Sequence, residues 1–189
     1  YTTIMAMLYT MATRIDEVLS IKVGELILDN GKPRVTVIGK GRKARTVYIM
    51  SKTLSLLRKY IVSEHGKNPD PSAYLFYSHS KGIHSKISER GVNKQLCKYA
   101  QKAHSVCSEV PEAVHTHQFR HSMATHCLDD GMNIFQISKM LGHKSVHTTM
   151  TYLGVTVAMT ESAIKKIESS TVQTIKPKWK SGMKLKDLF

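Results

Sequence analysis

The segment His117-Gln118-Phe119-Arg120-His121, followed by Leu141-Gly142-His143 and then by Tyr152, supplies imidazoles, a guanidinium and a phenol suited to attack on a phosphodiester. His117 and Arg120 are three apart on a predicted helix, which puts them on one face, within reach of the non-bridging oxygens of one phosphate. Gly142 ends a helix just before His143, and Tyr152 follows nine residues later across a Thr148-Thr149 turn. Positive charge nearby lowers the pKa of a phenol and so makes its anion a usable nucleophile toward phosphorus. Phosphoryl transfer then asks mainly for alignment and charge neutralisation, which guanidiniums and imidazoles supply without a metal. An H-x-x-R pair alone would as readily be a surface ion pair, and a lone tyrosine is usually packing, so the weight rests on the combination.

The elements that must position these groups are readable from periodicity. Residues 2–21 carry apolar positions at helical spacing, which predicts two helices joined near Ala12 and Thr13, with Arg14 at the join. From Glu25 to Met50 the pattern changes to short Val-, Ile- and Thr-rich runs broken by Asn30-Gly31-Lys32-Pro33 and Gly39-Lys40-Gly41-Arg42-Lys43, which predicts three antiparallel strands. A helix capped by Ser51 or Thr53 should end near Gly66. A short strand is expected at Tyr74–Tyr77, and a helix over Val92–His104 with Arg90, Asn93, Lys94 and Lys98 largely on its polar side. Thr116 is the expected N-cap of a helix stopped by Gly131, and Asn133 that of a helix stopped by Gly142. A last helix is predicted from about Thr156 to Glu168, with a lysine-studded tail beyond it. No internal repeat is visible.

The 189 residues suit one compact domain. A formal net charge of +14 and a pI near 9.7, with few aromatics, favour a polyanion held through its backbone, leaving DNA, RNA and an anionic membrane as candidates. There is no apolar run of about 18 residues and no secretion-signal pattern, so a soluble, cytoplasmic protein with no membrane partner is expected. Cys97, Cys107 and Cys127 are odd in number and lack CxxC spacing, which predicts reduced thiols. The chain starts at Tyr1 with a helical pattern already under way, which suggests a piece of a longer protein.

Taken together, these motifs resemble those of the tyrosine recombinases, or phage integrases, over nearly the whole chain. The family's first motif, an Arg followed three residues on by an acid, is met by Arg14-Ile15-Asp16-Glu17-Val18-Leu19. Its turn lysine is met within Val37-Ile38-Gly39-Lys40-Gly41-Arg42-Lys43-Ala44-Arg45, and its later boxes by His117-Gln118-Phe119-Arg120-His121, Leu141-Gly142-His143 and Thr148-Thr149-Met150-Thr151-Tyr152. Two departures stand out: the family usually has Gly shortly before the first Arg, where this chain has Ala12-Thr13, and the tail after Tyr152 is long.

The resemblance implies a mainly α domain with a small antiparallel sheet near its start, spanning residues 1–170 with a basic tail at 171–189 and lacking the family's N-terminal DNA-clamping domain. It implies a site-specific DNA recombinase of a mobile element, an enzyme without cofactor or metal that acts on double-stranded DNA as a tetramer, neighbours exchanging a C-terminal segment such as the helix around Val157 and Ile164. By resemblance Tyr152 is the nucleophile, forming a 3′-phosphotyrosyl bond. Arg14 and Arg120 would fork onto the phosphate, and Lys40, with Lys43 as its rival, would protonate the leaving 5′ oxygen. His117 would assist proton transfer and His143 hydrogen-bond the phosphate. Arg42, Lys43, Arg45, Arg90, Asn93 and Lys94 would contact DNA. Glu17 is expected to orient a helix or a nearby cation, and His121 and His126 to be packing or surface residues. Three other readings differ in class or outcome: a type IB topoisomerase-like enzyme, a non-catalytic DNA-binding relic, and a zinc protein using His115, His117, His121 and His126. The last lacks the glutamate of HExxH, since position 118 is Gln.

Overall fold

The computed structural model describes residues 1–150 apart from Asn30, Lys40, Arg42 and Lys144. The last predicted helix and the basic tail therefore lie outside the described residues.

Apolar residues three and four apart turn one stripe of a helix inward. In α1 (Thr2–Thr10) that stripe is Ile4, Met7 and Leu8, continued by Met11, and none of the four is more than 4% exposed. The chain then breaks at Ala12, whose φ of 48° makes it the only left-handed residue other than glycine among those described. A glycine would enter that conformation without strain, whereas a Cβ costs roughly 1–2 kcal/mol there. The Ala12 methyl is fully buried against Met123, Ala124, Cys127, Ile137 and Leu141, which offsets part of the strain and accounts for a side chain where the family usually has none. Arg14 then caps α2 (Ile15–Leu19).

Three antiparallel strands follow as expected, in the order β1 (Leu26–Ile27), β2 (Arg34–Ile38), β3 (Ala44–Tyr48). Val35 lies opposite Val47 and Val37 opposite Arg45, so the period of two sets Arg45 on the same face as the buried valines. The third helix, α3 (Ser51–His65), begins from Met50 with no side-chain cap. The expected cap by Ser51 or Thr53 is not made: Ser51 is already helical, and the buried Thr53 hydroxyl meets that of Thr10 at 3.1 Å.

The strand expected at Tyr74–Tyr77 also moves. Tyr74 makes a single bridge to Lys22, Leu75 and Phe76 go into the core, and pairing occurs between β4 (Tyr77–Ser78) and β5 (Gly82–Lys86). A short, polar β5 carries too little periodicity to be found from sequence. Helix α4 (Glu89–His104) buries Val92, Leu96 and Ala100. In α5 (Thr116–Asp129) the cap is His115 rather than Thr116, and the His115 amide donates to Gln118 Oε1 at 2.6 Å. For α6 (Ile134–Leu141) the expectation holds: Asn133 Oδ1 accepts from the Phe135 amide at 2.8 Å, and Gly142 ends the helix at φ 66°.

Two apolar clusters result. The larger joins α1, α2, the three-stranded sheet, α3, the Leu75-Phe76 segment and α4; the smaller lies between Ala12, α5 and α6. This is the mainly α fold with a small antiparallel sheet near its start that the sequence led us to expect.

Replacing Ala12 tests the strain at the α1–α2 joint. Ala12→Gly should change the unfolding free energy by less than about 1 kcal/mol, since relief of strain offsets the lost methyl. Ala12→Val should cost about 2 kcal/mol or more, because a branched side chain meets both the wrong φ and a packed cluster. Urea unfolding of the two variants measures both.

Candidate active site

Helical spacing places Arg120 inside. The buried positions of α5 are Thr116, Arg120, Met123, Ala124 and Cys127, so the guanidinium lies on the stripe that meets the core and is only 4% exposed. A buried cation needs acceptors, and Arg120 has two short ones: Nη1 donates to Ala12 O at 2.7 Å and Nη2 to Leu141 O at 2.6 Å. One carbonyl belongs to the α1–α2 joint and the other to the last turn of α6. Arg120 therefore ties together the two segments that lead to Arg14 and to His143.

Arg14 is half-buried at the start of α2. Its backbone amide donates to Glu17 Oε2 at 3.0 Å and its Nη1 to Oε1 at 3.4 Å, which ties the side chain to its own helix. Glu17 is 5% exposed and carries a second, tighter load. Arg45 forks onto it, Nη1 to Oε1 at 2.9 Å and Nη2 to Oε2 at 2.7 Å. Burial raises the Glu17 pKa, but the hydrogen bonds from Arg45 and the Arg14 backbone and the charges of both guanidiniums outweigh it, holding the carboxyl below its ordinary range. Glu17 thus orients cations, as expected. Arg45, expected among the DNA contacts, gives Glu17 one hydrogen bond from each terminal nitrogen and its side chain is 17% exposed, because strand parity turns it to the face of the buried valines.

His143 follows the left-handed Gly142. Its amide donates to Ser138 O at 3.0 Å, and its Nδ1 is 2.9 Å from the hydroxyl of the buried Thr149. Burial first, then the charges of Arg120, Arg14, Arg45 and His121, push its pKa from 6.5 down to about 4. At neutral pH the ring is uncharged and can hydrogen-bond without adding to the positive cluster. His121, which sequence suggested was a packing or surface residue, is thus an electrostatic neighbour of His143; its place one helical turn after His117 was the available signal.

The remaining candidates are more dispersed. His117 is exposed in the first turn of α5, one turn before Arg120. Lys43 is exposed, and its carbonyl accepts from the Gly39 amide at 2.8 Å at the base of the β2–β3 turn. Arg90 and Lys94 are exposed on α4, whereas half-buried Asn93 accepts from the Thr116 amide at 3.3 Å, linking α4 to the start of α5. Lys40, Arg42 and Tyr152 lie outside the described residues. Among the described residues no group of three His, Cys, Asp or Glu side chains is arranged to hold a metal ion. Among them, too, no helix is long and apolar enough to cross a membrane.

The depressed pKa of His143 has a definite sign in solution. The unfolded chain takes up this proton near pH 6.5 and the folded protein only near pH 4, so this group's contribution to stability is fully present above 6.5 and declines as pH falls toward 4. An NMR titration should place the His143 midpoint near 4, and Arg14→Ala should move it upward by removing one of the charges.

The phage integrase family model matches residues 1–159 of the chain. A tyrosine recombinase of Pseudothermotoga lettingae is 33% identical over 163 residues, covering 86% of this chain and 52% of the relative. Tyrosine recombinase XerA of Pyrococcus furiosus is 32% identical over 163 residues, with 86% and 53% covered. Among solved structures, the XerH site-specific recombinase bound to its difH substrate matches with a TM-score of 0.63 at 26% identity, over 79% of this chain and 41% of that one. The Tn1549 transposon integrase in complex with transposon right end DNA shares the fold, with a TM-score of 0.63 at 17% identity over 79% of this chain and 52% of that one. The chain spans about half the length of the curated relatives it matches. With its motifs on four separate elements drawn into one cationic cluster, and with the family model covering most of its length, the chain belongs to the phage integrase family, the tyrosine recombinases.

Proposed function

We propose that this chain is the strand-cleaving and strand-joining part of a site-specific DNA recombinase of a mobile element. The observation that carries the reading is the convergence on His143: guanidiniums from the start of α2, from β3 and from α5 all act on one half-buried imidazole. Such a cluster suits a doubly ligated, singly charged phosphate and the extra charge that develops as it becomes pentacoordinate. Relatives about a third identical in sequence are named tyrosine recombinases, and XerH and the Tn1549 integrase were solved on DNA, which supports a duplex DNA substrate.

In this proposal the Tyr152 oxygen attacks the scissile phosphorus as the bond to the 5′ oxygen breaks. A 3′-phosphotyrosyl ester forms and a 5′-hydroxyl departs, one phosphoester replacing another, so rejoining to a new strand needs no external energy. Arg14 and Arg120 neutralise the non-bridging oxygens, and His143, uncharged at neutral pH, donates a hydrogen bond to one of them. His117 accepts the phenol proton. Lys40, or Lys43 in the same turn, gives a proton to the leaving oxygen. Lys43, Arg90 and Lys94, together with Arg42, hold the DNA backbone. The catalytic domain is assigned to residues 1–170 with a basic tail at 171–189, and assembly as a tetramer on two DNA sites, in the cytoplasm, belongs to the same proposal.

A pool of nicked duplexes with random sequence around the nick tests the chemistry, because loss of the short 5′-hydroxyl fragment traps the covalent ester. The chain should yield a slowly migrating adduct on a denaturing gel, Tyr152→Phe should yield none, and Arg14→Ala should slow adduct formation by about 10²–10³-fold, the usual loss on removing one preorganised charge donor. An adduct that persists in Tyr152→Phe would overturn the assignment. Duplex affinity should fall about a hundredfold or more between roughly 50 and 200 mM salt, as counterion release requires when several phosphates are contacted; a flat salt response would contradict the binding mode.

A further inference from the structure

We propose that Arg45 is a positioning residue for strand cleavage: by gripping Glu17 it fixes Arg14 and the backbones that lead into Lys40 and His143 relative to one another. The inference rests on the functional reading above and gives a positioning task to a residue that the reading uses only as one charge of the cluster.

The forked Arg45–Glu17 pair is made by a half-buried β3 residue and a 5% exposed α2 residue, 28 positions apart, so it joins the sheet to the helix that Arg14 caps. Glu17 uses the same two oxygens to receive the Arg14 amide and guanidinium, which means that any shift of the carboxylate moves Arg14 with it. Two glycines press on the pair from other sides. A Cβ on Gly39, the residue before Lys40, would lie 3.1 Å from Glu17 Oε1 and 3.2 Å from Arg45 Nη1. A Cβ on Gly142, the residue before His143, would lie 3.2 Å from both Arg45 Cζ and Nη1. The ion pair therefore lies against three motif-bearing segments, and its planar fork fixes their spacing in a way that a point charge would not.

Its electrostatics agree with a positioning task. Glu17 carries charge because Arg45 and Arg14 hold its pKa down against burial, and a charged, doubly gripped carboxylate has one orientation. Arg45 stands close enough to contribute to the positive potential at His143, while each of its terminal nitrogens gives a hydrogen bond to Glu17, which holds the guanidinium against the carboxylate that also receives Arg14.

The test compares the unaltered chain with Arg45→Met, Arg45→Lys, Glu17→Gln and the double variant Arg45→Met/Glu17→Gln, on nicked duplexes recovered as adducts from the random pool. Duplex Kd and the rate of adduct formation at saturating DNA are measured separately, with thermal melts to confirm folding. Arg45→Met and Glu17→Gln should each lower the saturated rate by about tenfold or more while Kd changes less than about twofold, since misplacement by even 1 Å is costly in such sites. The double variant should be no slower than the slower single, because both remove one contact. Arg45→Lys should fall between Met and the unaltered chain. If instead Kd rises, the salt slope drops by about one and the saturated rate holds, Arg45 is a direct phosphate contact and the inference is wrong. Multiplicative losses in the double variant also overturn it. Should Arg45→Met fail to fold, Arg45→Lys and Glu17→Gln decide, and unaltered rates in both refute the proposal. If the unaltered chain forms no adduct at all, the functional reading itself has failed, which is distinguishable from normal adduct formation by every variant.

Discussion

Cations gathered at one point repel one another, and the structure of this domain is organised around keeping them there. Two unit charges about 4 Å apart interact by roughly 4 kcal/mol at the effective dielectric near a protein surface. Arg14, Arg45 and Arg120 all register on His143, so unopposed repulsion among them would work against the folded state. Two devices oppose it. Glu17 supplies a buried negative charge shared by Arg14 and Arg45, and Arg120 is taken up by neutral acceptors, the carbonyls of Ala12 and Leu141. The imidazole completes the arrangement by shedding its proton.

The acceptors of Arg120 are well chosen physically. Leu141 is the last residue of α6, where carbonyls lack helical partners and the helix dipole presents its negative end. The Ala12 carbonyl lies at a chain reversal, also outside the helical ladders. A guanidinium there satisfies polar groups that would otherwise be left in an apolar setting, so the side chain proposed to offer charge to a phosphate also holds α1, α5 and α6 in contact. Arg120 thus bridges α1, α5 and α6, whereas the Arg45–Glu17 pair joins the sheet to α2.

Much of this was legible in residue order. The two helices around Ala12, the three strands, the Asn133 cap and the Gly142 stop follow from apolar period and turn chemistry, and the order Arg14, His117, Arg120, His143 points to phosphate chemistry. Glu17 as an orienting carboxylate was legible too. Three things were not. Helices α3 and α5 start from Met50 and His115 rather than from the hydroxyls that local preference favours, while tertiary contacts engage Thr53 and bury Thr116. The β4–β5 pairing is too short and polar to carry a period. Arg45 reads in one dimension as one more charge in a basic hairpin, and only its parity with Val47 hints that it points in.

What the sequence determined by itself was the inventory: which side chains can carry charge to a phosphate, which stretches must be helix or strand, and which residues must break them. These are local properties, set by backbone sterics and by the spacing of apolar groups over one or two turns. What only the tertiary structure decided was partnership. That Arg45 meets Glu17, whether Arg120 is a surface ion pair or a buried tie between two carbonyls, and whether His143 is charged at neutral pH all depend on groups tens of residues away. Electrostatic energy depends on distance and on burial, and neither exists until the chain has folded.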